Sequence, residues 1–376
     1  MKRSAFLLPG FPLWVAGQIS TENAIRAKAC NTMLTGLLIM LCAALSYSQP
    51  KAQYHIRTIA FYNVENLFDT INNPNTFDDD RTPDGKYRWT SARYKDKLHK
   101  AARVIAEIGA EVTGSAPDIM GLCEVENYDV LHDLVHNTKL SDANYGIIHF
   151  DTPDERGIDV ALLYKRSAFI PTSFKNYPLY LYKDDGGRDY TRDQLLVSGL
   201  LDGEEVHFIV NHWPSRSGGE ARSRPKREAA AALNKKIIAM IRETDPEAKI
   251  LSMGDLNDGP FNSSLKKVLG TKGKKNKVRE GDLYNPMEAL AKKGYGSLAH
   301  GDHWNLFDQV FLSGTLLTDN TSGYRYWKAG IFNKHYLTTP SGPYKGYPLR
   351  SYANGNYTGG YSDHFPVYVY LIKKVD

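Results

Sequence analysis

The stretch Ser252-Met253-Gly254-Asp255-Leu256-Asn257-Asp258 carries a carboxylate and an amide two residues apart. Aimed together, such a pair can hold a water molecule. Lys249-Ile250-Leu251 reads as the start of a buried strand, and Gly259-Pro260 as the turn that closes the stretch. In extended backbone, residues two apart share a face, so the spacing predicts that Asp255 and Asn257 point the same way. Asp and Asn also populate ordinary turns, so the pair alone decides nothing.

Other polar residues sit where apolar runs end: Asn63, Glu124, Asn211 with His212, Asp308, and Asp363 with His364. Each has an ordinary explanation. Asn63 suits a turn, Glu124 a helix start, and His212 a core position beside Trp213. In layered α/β proteins, however, strand ends and their loops are where sites form, and the recurrence of the pattern argues for one shared site. Two basic clusters join the candidates. Trp213-Pro214-Ser215-Arg216-Ser217-Gly218-Gly219 with Arg222 is a Gly-rich basic loop at a strand end, and Arg can grip a phosphate bidentately. Arg192 lies just before a core strand and could reach the same place. Lys272-Gly273-Lys274-Lys275-Asn276-Lys277 could follow a nucleic-acid backbone, but it has no aromatic for base stacking and reads as a solvated loop.

The elements that must position these residues follow from periodicity. Strands are expected at Ile56–Tyr62, Asp118–Cys123, Tyr145–Phe150, Ile158–Tyr164, Asp308–Leu312 and Val367–Ile372. Leu195–Leu201 and Val206–Val210 flank Asp202-Gly203, a hairpin signal. Helices are expected through Leu98–Ile108, through Val130–Val135, and from about Arg224 to Ile241, with Pro225 in the first turn. Lys266–Lys277 reads as a basic loop. Trp304–Pro366, apart from the strand at Asp308, is rich in Tyr, Gly and Pro and shows no helix.

The chain has 376 residues, is 42% hydrophobic and holds 24 Tyr and 14 Phe, which excludes a disordered chain and supplies a large core. No repeat period is present. Met33 to Leu45 is apolar, and Ser46-Tyr47-Ser48-Gln49 offers small residues at alternate positions, as in a secretory signal and its cleavage site. Met33 is itself a plausible start. The run is short for a membrane span. Cys42 raises a lipoprotein reading, which the bulky Leu41 before it disfavours. Residues 1–48 are therefore read as an extension plus signal, and residues 49–376 as one domain, exported to the periplasm or outside the cell, with no membrane-spanning segment in the mature chain. Removing residues 1–48 leaves 43 basic and 41 acidic residues, so overall charge selects no partner. Only Cys123 remains, and no intrachain disulfide can form.

The segments Tyr62-Asn63-Val64, Leu122-Cys123-Glu124, Val210-Asn211-His212, Gly254-Asp255-Leu256-Asn257 and Ser362-Asp363-His364-Phe365-Pro366-Val367 occur in this order. Together they resemble the motifs of the endonuclease/exonuclease/phosphatase superfamily, which includes DNase I-like nucleases, inositol polyphosphate 5-phosphatases and neutral sphingomyelinases. The resemblance runs from Ile59 to Tyr368. It implies a DNase I-like four-layer α/β sandwich: two packed, mixed, mostly antiparallel sheets flanked by helices. It also implies Mg²⁺-dependent phosphoester hydrolysis, with Mn²⁺ or Ca²⁺ as substitutes.

By this resemblance Glu124 is the main metal ligand, Asn63 supports the metal shell and Asp363 binds metal or its water. Asp255 orients or deprotonates the attacking water, and Asn257 holds that water or a phosphate oxygen. His364 contacts the phosphate, Asp308 orients His364, and His212 donates to a phosphate oxygen or the leaving group. Arg192, Arg216 and Arg222 are candidate phosphate contacts. Glu65 is left as either a ligand or a surface charge. The expected activity is that of a nuclease or phosphodiesterase acting on a phosphoester substrate, nucleic acid among the candidates. The alternatives are an inositol-phosphate phosphatase, a sphingomyelinase-like phospholipase, for which Tyr324-Arg325-Tyr326-Trp327 is the one hint of a membrane-docking loop, or a non-catalytic binding protein on the same fold. No protein partner is implied.

Overall fold

The computed structural model describes residues 26, 28–36, 53–318 and 323–375. The chain divides into two compact units, Met1–Gln53 and Tyr54–Asp376. In the first, residues 28–36 are helical and exposed. The rest of the expected signal, from residue 37 through the cleavage region, lies outside the described residues. Among the described residues no helix is long and apolar enough to cross a membrane.

The second unit is built on β1, Tyr54–Leu67. Its side chains alternate between two apolar environments: Ile59 and Phe61 enter one core, Ala60 and Tyr62 another. A strand covered on both faces reads as a continuous apolar run, not as an alternation of apolar and polar residues. Along the chain follow helix α1 (Ser91–Glu107), β2 (Ile119–Val125), helix α2 (Tyr128–Val135), β3 (Tyr145–His149) and β4 (Asp159–Lys165). Then come β5 (Phe169–Tyr177), β6 (Gln194–Leu201), β7 (Glu204–His212) and helix α3 (Glu220–Thr244). The chain continues with β8 (Ile250–Asp255), β9 (Leu283–Tyr284), β10 (Asp308–Ser313), β11 (Arg325–Ile331) and β12 (Val367–Lys374).

Two six-stranded sheets result, in the orders β11-β12-β1-β2-β4-β3 and β9-β10-β8-β7-β6-β5. Each contains one parallel pair, β1 with β2 and β7 with β8; the other pairings are antiparallel. The facing sides of the sheets share one core, in which Ile59, Phe61 and Val160 meet Phe208, Leu251 and Val310. The outer face of the first sheet is covered by α1 and α2 through Leu98, Ile105 and Leu131. The outer face of the second is covered by α3 through Ala230, Ala231 and Ile237. This is the expected four-layer sandwich.

Four local features depart from the expectation. Helix α3 begins at Glu220 and not near Arg224, so Pro225 falls in the second turn. The Glu220–Arg224 ion pair at 2.7 Å and the bond from Ser223 Oγ to the Gly219 carbonyl support the earlier start. The basic loop opens with a wide helical turn, Ser264–Leu269, because Leu265 and Leu269 are buried against the core beneath α3. Tyr324-Arg325-Tyr326-Trp327 leads into the edge strand β11. Tyr324 and Tyr326 are buried while Trp327 is 40% exposed, so the aromatic run is strand and core, not a protruding loop. Finally, Phe169–Tyr177 is an edge strand whose Pro171 is tolerated because one side of its backbone is unpaired.

Candidate active site

The ends of the two parallel pairs, β1 with β2 and β7 with β8, gather the polar residues. Leu67 pairs with Val125 and Asn63 with Cys123, so residues 64–66 form a bulge in β1. In β2, Cys123 pairs with Val160 and Val125 with Asp159, which leaves Glu124 as an extra, unpaired residue. Glu124 has φ +60° and Glu65 and Asn66 have φ +52° and +55°. A left-handed non-glycine residue in a bulge re-aims its side chain at a conformational cost of roughly 1–2 kcal/mol. Here the bulge turns Glu124 out of the strand alternation, and its carboxylate accepts bonds from Asn63 Nδ2 (3.2 Å) and the Asn66 amide (3.0 Å).

Asn63 bridges the sheets. The same Nδ2 donates to Asp255 Oδ2 at 3.2 Å, and Asn63 Oδ1 accepts the Glu65 amide at 2.9 Å. That bond fixes the amide's orientation, so Asn63 presents N–H groups and not an oxygen to Glu124 and Asp255. It holds the two carboxylates together through Nδ2, while its oxygen accepts the Glu65 amide.

Asp255 ends β8, and Asn257 follows with φ +49°. The backbone is therefore not extended there, contrary to the spacing argument. The two side chains are brought together by an Asx turn, in which the Asn257 amide donates to Asp255 Oδ1 at 3.0 Å. Asn257 Nδ2 donates to the Trp213 carbonyl at 3.0 Å. An acceptor carbonyl requires the NH₂ group there, so Asn257 Oδ1 faces away from Trp213.

Two imidazoles flank Asp255. His212 Nε2 and His364 Nε2 lie 3.8 and 3.9 Å from Asp255 Oδ2, and His212 Nε2 is 4.0 Å from Glu124 Oε1. His364 Nδ1 is 2.6 Å from Asp308 Oδ2. Ser362 fixes the approach to His364: its hydroxyl donates to the Asn63 carbonyl at 2.7 Å and accepts the His364 amide at 3.0 Å. Asp363 Oδ1 is 4.0 Å from His364 Nε2, and its other oxygen is held by Arg350 at 2.7 Å.

Electrostatics separate the two histidines. Burial opposes charge on His364, yet Asp308 and Asp255 outweigh it and hold the imidazole well above its usual range. Burial, reinforced by Arg192, Arg156 and His364, drives His212 well below its usual range. Burial also pushes Asp255 up to about 6, with His364 pulling the other way. Opposite shifts on neighbouring groups are the pattern of acid–base sites.

Oxygen donors suited to a hard divalent cation are present: the Glu124 carboxylate, Asp255, and the buried Asp308 Oδ1, which has no hydrogen-bond partner. The ligand atoms of Asp255, Asp308 and His364 lie within 4.8 Å of one another. The residues fit a divalent metal.

Of the three arginines, none is a free cation aimed at this cluster. Arg192 is 6% exposed and donates to Asp154 and to the Trp213 carbonyl, both at 2.9 Å. Arg216 donates to the Asn257 carbonyl and to Asp258, and stacks over Phe307. Arg222 is 76% exposed and faces Asp184. Arg192 and Arg216 therefore brace the Asn257 turn from behind, while Arg222 is not brought in. Glu65, left undecided by the sequence, is buried and accepts the Ser351 amide, 3.9 Å from the buried Lys97. Ser362 and Ser297, whose hydroxyl accepts the Asp308 amide, were missed. Small hydroxyl residues in loops carry no distinguishing pattern, although Ser362 lies within the same motif as His364.

Residues 58–373 match the sequence model of a family described as the endonuclease/exonuclease/phosphatase family. Comparison with curated protein sequences finds no match. Among solved structures, an endonuclease/exonuclease/phosphatase family protein from Bacteroides thetaiotaomicron is similar, with a TM-score of 0.52 and 18% identity. The match covers 86% of this chain and 97% of that one. A mannosyl-6-phosphatase from the same species gives 0.51 at 18% identity, over 84% and 99% of the two chains. An endonuclease/exonuclease/phosphatase from Bacteroides vulgatus gives 0.50 at 14%, over 84% and 98%. At these identities the likeness is one of fold.

Proposed function

This chain belongs to the endonuclease/exonuclease/phosphatase family and is a phosphoester hydrolase, and from that premise we propose that it hydrolyses a phosphodiester with the help of a divalent metal, as a nuclease or related phosphodiesterase. The observation that carries the reading is the pair of imidazoles whose Nε2 atoms lie 3.8 and 3.9 Å from Asp255 Oδ2. Both ring nitrogens thus converge on the carboxylate that takes the proton of the attacking water in this reading.

Glu124 would be the metal's principal ligand, with Asp255 and Asp363 contributing oxygens, and a divalent cation held by them, Mg²⁺ or in its place Mn²⁺ or Ca²⁺, would supply positive charge to the phosphate. Asp255 accepts a proton from the attacking water. Asn257 Oδ1, freed by the bond from Nδ2 to Trp213, accepts a second hydrogen bond from that water and fixes its line of approach. His364, charged and anchored by Asp308, donates from Nε2 to a phosphate oxygen. Its charge stabilises the transition state more than the ground state. His212, kept neutral by burial, donates to a second phosphate oxygen or to the leaving oxygen.

A second reading, hydrolysis of a small phosphoester such as a phosphosugar, is favoured by the state of the arginines. Arg192 and Arg216 are committed to internal bonds and Arg222 lies apart, which supports a short substrate better than a long polyanion. A panel of DNA, RNA, a simple diester, a sugar monophosphate, an inositol phosphate and sphingomyelin separates the readings. Turnover of the monoesters alone would replace the first by the second. Diester turnover that survives complete chelation of divalent metal would remove the proposed mechanism. Export of residues 49–376 is part of the same proposal, and the N-terminal sequence of the protein recovered from its native compartment tests it.

A further inference from the structure

Asp363 reaches the site from a loop, and a second stretch of loop stands behind it. Residues 349–351 lie against residues 358–362. The Leu349 carbonyl accepts the amides of Tyr361 (2.6 Å) and Ser362 (3.2 Å), and the Ser351 carbonyl accepts that of Thr358 (2.9 Å). Gly360 permits this approach, since a Cβ there would overlap the carbonyl oxygens of Leu349 and Arg350. Lys97, buried in α1, pins both stretches at once: its Nζ donates to Ser351 Oγ at 2.7 Å and to the Tyr361 carbonyl at 2.6 Å. The Ser351 amide donates to Glu65 Oε2 at 2.6 Å, which ties them to the bulge of β1.

Arg350 projects from this fixed backbone between two carboxylates. Its Nη2 donates to Asp363 Oδ2 at 2.7 Å, and its Nε lies 3.6 Å from Glu65 Oε1. A guanidinium offers its donors in a rigid fork, which can face two carboxylates at once. Glu65 is buried, but the Arg350 side chain is 52% exposed, and an ion pair that open to water contributes little to stability. Its consequence is the placement of Asp363. Among the described residues Arg350 is the one side chain that hydrogen-bonds Asp363. The other carboxylate oxygen is left 4.0 Å from His364 Nε2. A carboxylate free to move beside an imidazole N–H is drawn to about 2.8 Å, where it would cover the nitrogen that faces the site.

We propose that Arg350 is a positioning residue of the metal site. Anchored on Glu65, it holds Asp363 by one oxygen, so that the other stays available to the divalent metal and off His364 Nε2. The inference rests on the metal role given to Asp363 above. It assigns Arg350 a part different from that expected of Arg192, Arg216 and Arg222: it acts on a carboxylate of the site and not on the substrate.

The test uses the full chain stripped of metal. Mg²⁺ and Mn²⁺ are titrated separately by calorimetry, without substrate, into wild type, Arg350→Gln, Asp363→Asn and the double variant, and the metal-free form of each is melted. Arg350→Gln is expected to weaken metal binding by about 10–100-fold while moving the metal-free Tm by less than about 3 °C. Arg350→Lys, which keeps the charge but not the fork, falls between wild type and Arg350→Gln. Because Arg350 acts through Asp363, the double variant binds metal no more weakly than Asp363→Asn alone. At saturating metal, Arg350→Gln lowers kcat on a diester and leaves KM nearly unchanged. Losses that add in the double variant would place the effect of Arg350 elsewhere and overturn the inference. Unchanged metal affinity in Arg350→Gln would overturn it as well, and a raised KM beside it would make Arg350 a substrate contact. Diester turnover that survives chelation, the result that removes the reaction proposed above, is read in the kinetics alone, whereas this inference stands or falls on the binding measurements.

Discussion

His364 and Asp308 join the two sheets of the sandwich. The imidazole Nδ1 lies 2.6 Å from the carboxylate Oδ2, with Asp308 at the start of β10 in the second sheet and His364 just before β12 in the first. The pair therefore reports the relative placement of the sheets as well as the charge of the imidazole. A bond from Nδ1–H to a carboxylate leaves Nε2–H as the donor directed into the site, the division of labour expected of an oriented histidine.

Replacing Asp308 by Asn keeps an acceptor but removes the charge. His364 then loses a main influence holding it above its usual range. The expected outcome is a fall in kcat of about 10²–10⁴-fold with little change in KM. The alkaline limb of the pH–rate profile moves to lower pH, because the imidazole gives up its proton earlier. Full pH profiles of wild type and Asp308→Asn check this. An unchanged alkaline limb would refute the role of Asp308.

Metal removal has a pH signature. Burial raises Asp255 to about 6 in the folded, metal-free chain, above the unfolded value of about 3.9. The folded state then binds more protons than the unfolded one between those values. Stability from this group is present below about pH 3.9 and is lost as pH rises toward 6. A divalent cation beside Asp255 stabilises its ionised form and cancels the loss. Chelation is therefore expected to lower Tm more at pH 7 than at pH 4.5. Paired thermal melts with and without chelator at the two pH values measure the difference, and an equal shift at both would contradict it.

The strand-end residues were legible because apolar runs are long and their terminations abrupt. Both faces of β1 and β8 are covered, so Asn63 stands out as the first polar residue after a buried stretch and Asp255 as the charged residue that ends one. What periodicity could not supply was direction. Glu124 reaches the site only because an unpaired residue in β2 takes φ +60°, and Asn257 only through a left-handed turn at φ +49°. Nothing in the sequence announces a bulge at Glu124. The internal bonds of the arginines were hidden for a related reason. A basic residue near a strand end can be spent internally, and Arg192 is spent on Asp154 and Trp213. The pairing partner lies 38 residues away, beyond the reach of any local pattern.

The buried ion pair behind the Asn257 turn tests how much the site depends on its support. Arg227 Nε lies 2.7 Å from Asp258 Oδ1, and both side chains are fully buried. Removing one partner of such a pair leaves an uncompensated charge at a cost of about 3–5 kcal/mol. Arg216 at 3.0 Å and Ser264 at 2.7 Å still contact Asp258, so Arg227→Met is expected to lose about 3 kcal/mol, the low end of that range. Urea unfolding measures this as a lower midpoint at unchanged m-value. A loss under about 1 kcal/mol would show that Arg216 and Ser264 satisfy Asp258 without Arg227.

Arg192 and Arg222 are expected to give opposite outcomes. Arg222 is exposed and faces the still more exposed Asp184, and surface pairs of this kind contribute about 0–1 kcal/mol. Arg222→Ala is expected to leave kcat and KM within about twofold of wild type, a difference of under 1 kcal/mol. Arg192 holds the carbonyl that also orients Asn257. Arg192→Gln loosens that carbonyl and the water that Asn257 steadies, so kcat falls while KM scarcely changes. Arg192→Lys, which keeps the charge and one donor, recovers part of kcat. A direct phosphate contact would instead raise KM in Arg192→Gln. Steady-state kinetics of the three variants on one diester therefore separate a brace from a substrate contact.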